Sequence, residues 1–186
     1  MEGKYHRVGG PAVERANGDK EWYEYGLHHR VDGPAHEGAD GSRAWHEGGK
    51  LQRVGGPAVE SADGARGWWY DNQRHRLDGP ALERADGTLE WWVRGQRRRA
   101  GGLPTVVYAN GSKVWCMGGP ANEMVRHRVD GPAVRRVDGS EEWWLNGRLH
   151  RADGPAIVSE VGGEEWYVNG VRLNTAGLGA FEKTTF

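Results

Sequence analysis

Arg74 to Gln96 read RHRLDGPALERADGTLEWWVRGQ, and Arg126 to Arg148 read RHRVDGPAVRRVDGSEEWWLNGR. The second stretch is nearly the first, and weaker copies fill the chain around them. Aligned on an arginine that follows histidine in five copies, and Gln52 or Arg98 in the other two, the copies are anchored at Arg7, Arg30, Arg53, Arg76, Arg99, Arg128 and Arg151, with spacings of 23, 23, 23, 23, 29 and 23 residues. Proline marks one point of every copy (Pro11, Pro34, Pro57, Pro80, Pro104, Pro132, Pro155) and tryptophan another (Trp22, Trp45, Trp68, Trp91, Trp115, Trp143, Trp166). A fixed period in this range is the sequence sign of a stacked repeat, in which each unit buries its small apolar face against its neighbours.

The period divides the chain into a tail (1–4), copies at 5–27, 28–50, 51–73, 74–96, 97–125, 126–148 and 149–171, and a remainder (172–186) that starts an eighth copy and abandons it. The remainder is expected to cap the stack. Within a copy, Pro80 to Arg84 is extended, Ala85-Asp86-Gly87 turns, and Leu89 to Val93 is a second, aromatic run with β preference. Arg94-Gly95, Asn146-Gly147 and Asn169-Gly170 follow as turns, and Asn-Gly between apolar runs is a strong hairpin signal. Proline in every copy and closely spaced glycines exclude long helices. The fold class is all-β: an elongated stack of about seven antiparallel hairpin repeats, whose fourteen strands would extend on the order of 65 Å.

Charge selects the hairpin register. Two-residue Asp-Gly loops would set Glu14 against Glu21 and Glu83 against Glu90, and like charges directly opposite are unfavourable. A three-residue loop ending in glycine instead sets Glu14 against Lys20, Glu37 against Arg43, Glu60 against Arg66 and Arg135 against Glu141. The first tryptophan of each aromatic run never varies, whereas the second position is Tyr23, His46, Trp69, Trp92, Cys116, Trp144 or Tyr167. The invariant column is expected to be core and the variable one to face outward. Residues 118–125 exceed the repeat length and are expected to bulge as an irregular loop.

Composition sets the outer bounds. With 31 glycines, 10 tryptophans and two phenylalanines in 186 residues, a conventional core of Leu, Ile and Phe cannot be assembled. A net charge of −1 gives no general attraction to nucleic acid or acidic membranes. No apolar run has the length of a membrane span or a leader's hydrophobic segment, and Cys116 stands alone, so a soluble, cytoplasmic protein is expected.

Hairpins with glycine turns, a Trp-aromatic strand and an Asn-Gly-Arg turn resemble the MORN repeat family. Residues 146–157 (NGRLHRADGPAI) and 138–148 (DGSEEWWLNGR) are similar to its variant form. The resemblance covers residues 5–171 and implies a β-hairpin ribbon acting as a non-enzymatic scaffold. Relatives of that kind are sometimes linked to membrane lipids or to antitoxin-like roles. No functional residue is carried over, because the Tyr-x-Gly-x-Trp opening of the common pattern is replaced here by His-Arg-x-Asp/Gly-Gly-Pro-Ala.

Two columns carry the chemistry. Arginine offers five donors suited to phosphates and carboxylates. Asp32, Asp78, Asp130 and Asp153 lie two residues beyond their arginines, on the same face of an extended strand, so salt bridging is the first reading of this column. Arg7, Arg53 and Arg99 have glycine there and are expected to keep their donors free for an anionic partner. The second aromatics pack across strands on the first reading. On the second, Trp69, Trp92, Trp144 and Tyr167, with the His75-Arg76 pair, form a stacking or hot-spot surface. The histidine column (His6, His29, His75, His127 and His150, with Gln52 and Arg98 in the gaps) is spaced out along the repeats and does not converge as zinc requires, and no nucleophile has an adjacent base, so no metal, cofactor or catalytic residue is assigned. The expectation is a non-enzymatic scaffold that binds protein partners or its own copies. The alternative is a binding module for phosphorylated small molecules, nucleotides or lipid headgroups.

Overall fold

Residues 4–118 and 123–174 are described by the structure, a computed structural model. Every regular element among them is a β-strand of two residues. No helix among them is long and apolar enough to cross a membrane. The Asp-Gly segments close as the charge argument requires. Arg84 N–H donates to the Thr88 carbonyl at 2.9 Å, and Gly87 N–H returns to the Arg84 carbonyl at 2.9 Å. Gly87 takes φ +88°, a left-handed conformation that glycine adopts without steric cost. Glu14 faces Lys20, Glu37 faces Arg43, Glu60 faces Arg66 and Arg135 faces Glu141. These seven hairpins join edge to edge, in chain order, into one 14-stranded antiparallel sheet.

The second extended run is not one strand. It divides at the first tryptophan. Leu89–Glu90 stays in the large sheet, whereas Trp92–Val93 leaves it and pairs with Gln96–Arg97. The hydrogen bonds show why. Trp68 N–H donates to the Ala81 carbonyl of the next copy at 2.8 Å, while the Trp68 carbonyl accepts from His75 N–H at 3.0 Å. One residue thus serves two different elements, and the ladder changes partner there. Seven small hairpins result, each a separate two-stranded sheet. In all but the fifth copy the turn has two residues that both take left-handed φ, as at Asn146 (51°) and Gly147 (75°), which matches the twist of the flanking strands.

The small hairpins lie over one face of the large sheet. Leu82, Glu90, Val106, Val114, Val134 and Glu142 of that face are buried, and Val106, Val114 and Val134 pack with Cys116, Trp144 and Met124. This reverses the expected facing of the aromatics. Trp92 is 2% exposed while Trp91 is partly exposed, and Trp115 alone of the first column is buried. The second aromatic turns inward because the strand leaves the sheet one residue earlier. The fully buried column is instead the residue after proline, alanine in copies two, three, four, six and seven (Ala35, Ala58, Ala81, Ala133 and Ala156) and the buried Thr105 in copy five.

The fifth copy absorbs five of its six extra residues in the loop of its small hairpin, the sixth lying between Arg99 and Pro104. Met117 pairs with Val125, so Val125 belongs to a strand and not to the loop expected over 118–125. Residues 119–122 of that expectation lie outside the described residues, as do 175–186 of the expected cap. Arg172, the first residue assigned to the cap, pairs in a strand with Tyr167.

Candidate interaction face

The recurrent Arg-x-Asp/Gly-Gly-Pro motif is one half of a clamp that closes between copies. From copy two onward, each guanidinium lies over the first tryptophan of the preceding copy, 3.7 to 4.2 Å from a ring centroid. In all seven copies an Nη1 donates to the proline carbonyl at 3.0 to 3.2 Å. The glycine before proline is the other jaw: a Cβ on Gly79 would stand 2.7 Å from Arg76 Cζ. Arginine, tryptophan and glycine, which look like three independent columns in the sequence, are one device of cation–π stacking and hydrogen bonding.

The carboxylate partners of the column differ from expectation. Arg30, Arg76 and Arg151 pair with the aspartate two residues on, at 3.1, 2.9 and 3.1 Å. Arg128 and Asp130 form no such bridge. Arg7 and Arg53, expected to be unpaired, reach Glu14 at 3.6 Å and Glu60 at 3.2 Å on the neighbouring strand. Sequence reasoning missed these because the partner is set by the bend of the turn and not by i, i+2 spacing. Arg99 has no carboxylate partner among the described residues, and burial pushes its pKa down.

Between Arg and Asp/Gly the chain presents an apolar residue to solvent. Val8, Val31, Val54, Leu77 and Val129 are 87, 90, 95, 79 and 75% exposed. The arginine folds inward onto tryptophan, so its successor on an extended segment points out. These residues form the crest of a ridge in copies one to four and six, with the smaller Ala100 and Ala152 at the same position of copies five and seven. Grooves of about 360 and 400 Å³ lie between the first three ridges, and one of about 630 Å³ between copies six and seven. The sequence did carry the signal, an apolar residue after every anchoring arginine in an otherwise polar motif.

The remaining candidates are placed as follows. His75 Nδ1 accepts the Arg94 N–H at 3.2 Å and so closes the small hairpin of its own copy. His29, His127 and His150 do the same, and Gln52 substitutes its side-chain oxygen. Trp69, Trp92, Trp144 and Tyr167 line the space between the layers rather than a free stacking surface. There Trp92 Nε1 and Trp144 Nε1 donate to Glu90 and Glu142 at 3.1 and 2.7 Å. Tyr23 and Tyr167 hydroxyls donate likewise to Glu21 and Glu165 at 2.6 and 3.0 Å. Burial and the bond to Glu21 push the Tyr23 phenol up to about 12. That same bond, with Arg15 and His28 opposing the effect of burial, holds Glu21 below the usual glutamate value. The Cys116 thiol is buried, which raises its pKa.

Neither a protein-family model nor a curated protein matches the chain.

Proposed function

We propose that the chain is a non-enzymatic, MORN-like repeat scaffold that binds protein partners along its ridged face. The exposed ladder of Val8, Val31, Val54, Leu77 and Val129 carries this reading. Five large apolar side chains recur at one position of the repeat, and those of Val8, Val31, Val54 and Val129 border grooves with arginine and tryptophan, the composition of a protein-binding hot-spot surface. Binding rather than catalysis also fits the state of the polar side chains. Six of the seven column arginines are held on tryptophan, and the column histidines His6, His29, His75, His127 and His150 accept turn amides.

The reading is tested by substituting Val31→Asp and Val54→Asp together and comparing partners captured from the source cells. These side chains touch little of the fold, so the melting temperature should stay within a few degrees of wild type. Partners recovered with the wild type and lost with the double variant support the ridged face. Identical recovery, or none with either protein, overturns it.

A further inference from the structure

We infer that the junction of the fifth and sixth copies holds a binding site for a phosphate group, built from Lys113, Arg128 and Arg135 on the open face of the large sheet. The repeat supplies its own controls. In copies one to four the column arginine has a glutamate seven residues on, and the pairs Arg7–Glu14, Arg30–Glu37, Arg53–Glu60 and Arg76–Glu83 measure 3.6, 2.8, 3.2 and 3.5 Å. In the sixth copy that position is Arg135, so the column arginine meets a cation where its equivalents meet an anion.

The same reversal appears across the sheet. On this face the charged neighbours between copies are opposite in sign: Lys20 faces Glu37, Arg43 faces Glu60 and Arg66 faces Glu83. Lys113 faces Arg135 in the same register, and like charges directly opposite are destabilising. Burial and the Arg135 charge push the Arg128 guanidinium below its ordinary value. The carboxylates turned toward the cluster are Glu141, on Arg135 Nε at 3.0 Å, and Asp130, whose charge acts on Arg128 without bridging it. Three cations therefore face two carboxylates. Among the described residues Lys113 has no ion-pair partner, and Arg128 spends only an Nη1 on Pro132 at 3.2 Å.

A phosphate monoester matches this remainder. It brings close to two negative charges and three acceptor oxygens to donors that guanidinium groups present in a fixed fork. The groove of about 630 Å³ lined by Arg128, Arg135, Glu141, Trp143 and His150 gives room for what the phosphate is attached to. Two sources carry this chemistry, a phosphorylated side chain and a free phosphorylated small molecule, and the test separates them.

The test is calorimetric titration of the full chain with inorganic phosphate, O-phosphoserine and a short phosphoserine peptide at low salt. The informative variant exchanges the pair, Arg135→Glu with Glu141→Arg. It keeps the in-register couple, gives Lys113 an opposite charge and gives Arg128 the glutamate found in copies one to four. We expect saturable phosphate binding by the wild type, weakened about tenfold or more in the exchanged variant with an unchanged or raised melting temperature. Lys113→Gln, a change at an exposed side chain, should weaken binding several-fold and guards against a folding defect in the exchange. Peptide affinity above that of O-phosphoserine identifies a protein source, and equal affinity a small-molecule source. Absence of saturable binding at millimolar phosphate overturns the site, as does binding that both variants leave unchanged. Val31→Asp with Val54→Asp should leave phosphate affinity intact, so this site and the ridged face can fail separately.

Discussion

Copies three and four have nearly the same backbone and opposite interiors. In copy four the buried Glu90 carboxylate accepts from Arg84 at 2.9 and 2.6 Å, from Trp92 Nε1 at 3.1 Å and from Arg97 at 3.2 Å. One repeat earlier, in copy three and the first residue of copy four, the equivalent residues are Ser61, Gly67, Trp69 and Arg74, and the carboxylate is gone. The Trp69 indole has moved over the vacated position, so that a Cβ on Gly67 would stand 2.8 Å from its Nε1. Arg74 remains between Trp69 and Trp92, 5.1 and 5.5 Å from their centroids, with its Nε buried and without a partner. Burial pushes its pKa down. The difference separates two contributions. Apolar and cation–π stacking between the layers is present in both copies, so it suffices to seat the small hairpin. The buried carboxylate network is an addition that a copy can lack, and its donors then stay unsatisfied.

The comparison breaks most sharply at the tryptophans. Trp92→Ala should cost about 3–5 kcal/mol, because it opens a cavity between the layers and strips a donor from Glu90. Trp69→Ala and Trp91→Ala should each cost less, since both rings are partly exposed. Urea denaturation of the three variants measures this, and equal costs would mean that burial in copy four confers nothing extra.

Glu90→Ala should cost roughly 3 kcal/mol, by leaving two guanidinium groups and an indole N–H without their acceptor. The effect has a pH signature. Burial pushes the Glu90 pKa up, but the Arg84 hydrogen bond and the charges of Arg97 and Arg84 outweigh it and hold the value below the usual one for glutamate. A depressed folded value contributes stability that is fully present above the unfolded glutamate value of about 4.3 and is lost as pH falls through the folded one. Wild type and Glu90→Gln should therefore converge in stability only once the pH has fallen through the depressed folded value, and a gap that persists in stronger acid would show that packing, not charge, holds Glu90.

Gly67→Glu is the converse experiment. It should restore an acceptor to Arg74 and Trp69 and gain about 1 kcal/mol at neutral pH, once the indole has tilted away from the new Cβ. A net loss in thermal melts would show that Trp69 is locked in place. The smallest effect concerns the turns. Copy three closes its small hairpin with Gln52 and copy four with His75, both accepting a backbone N–H. His75→Gln should thus change stability by less than about 0.5 kcal/mol, whereas His75→Leu should lose about 1 kcal/mol with its acceptor. Amide exchange at Arg94 reports the two directly.

Much of this fold was legible in the chain because its determinants are local. The period, the glycine turns and the pairing of Glu37 with Arg43 all involve residues within one hairpin, where turn geometry leaves little choice of register. The sign of the aromatic facing was not legible. An invariant tryptophan and a variable aromatic look like core and surface, and only the change of hydrogen-bond partner at Trp68 or Trp91 shows that the strand leaves the sheet between them. The clamp was also hidden, since Arg76 and Trp68 belong to different copies and nothing in their spacing says that they stack.

By itself, then, the sequence determined an all-β repeat of hairpins and the residues that face each other within each one. Only the tertiary structure decided which aromatic lies between the layers, which carboxylate each arginine meets, and that the residue after each arginine is thrust into solvent. Turns and cross-strand pairs are set by backbone conformation over a few residues, whereas those three outcomes depend on where one copy comes to rest on the next.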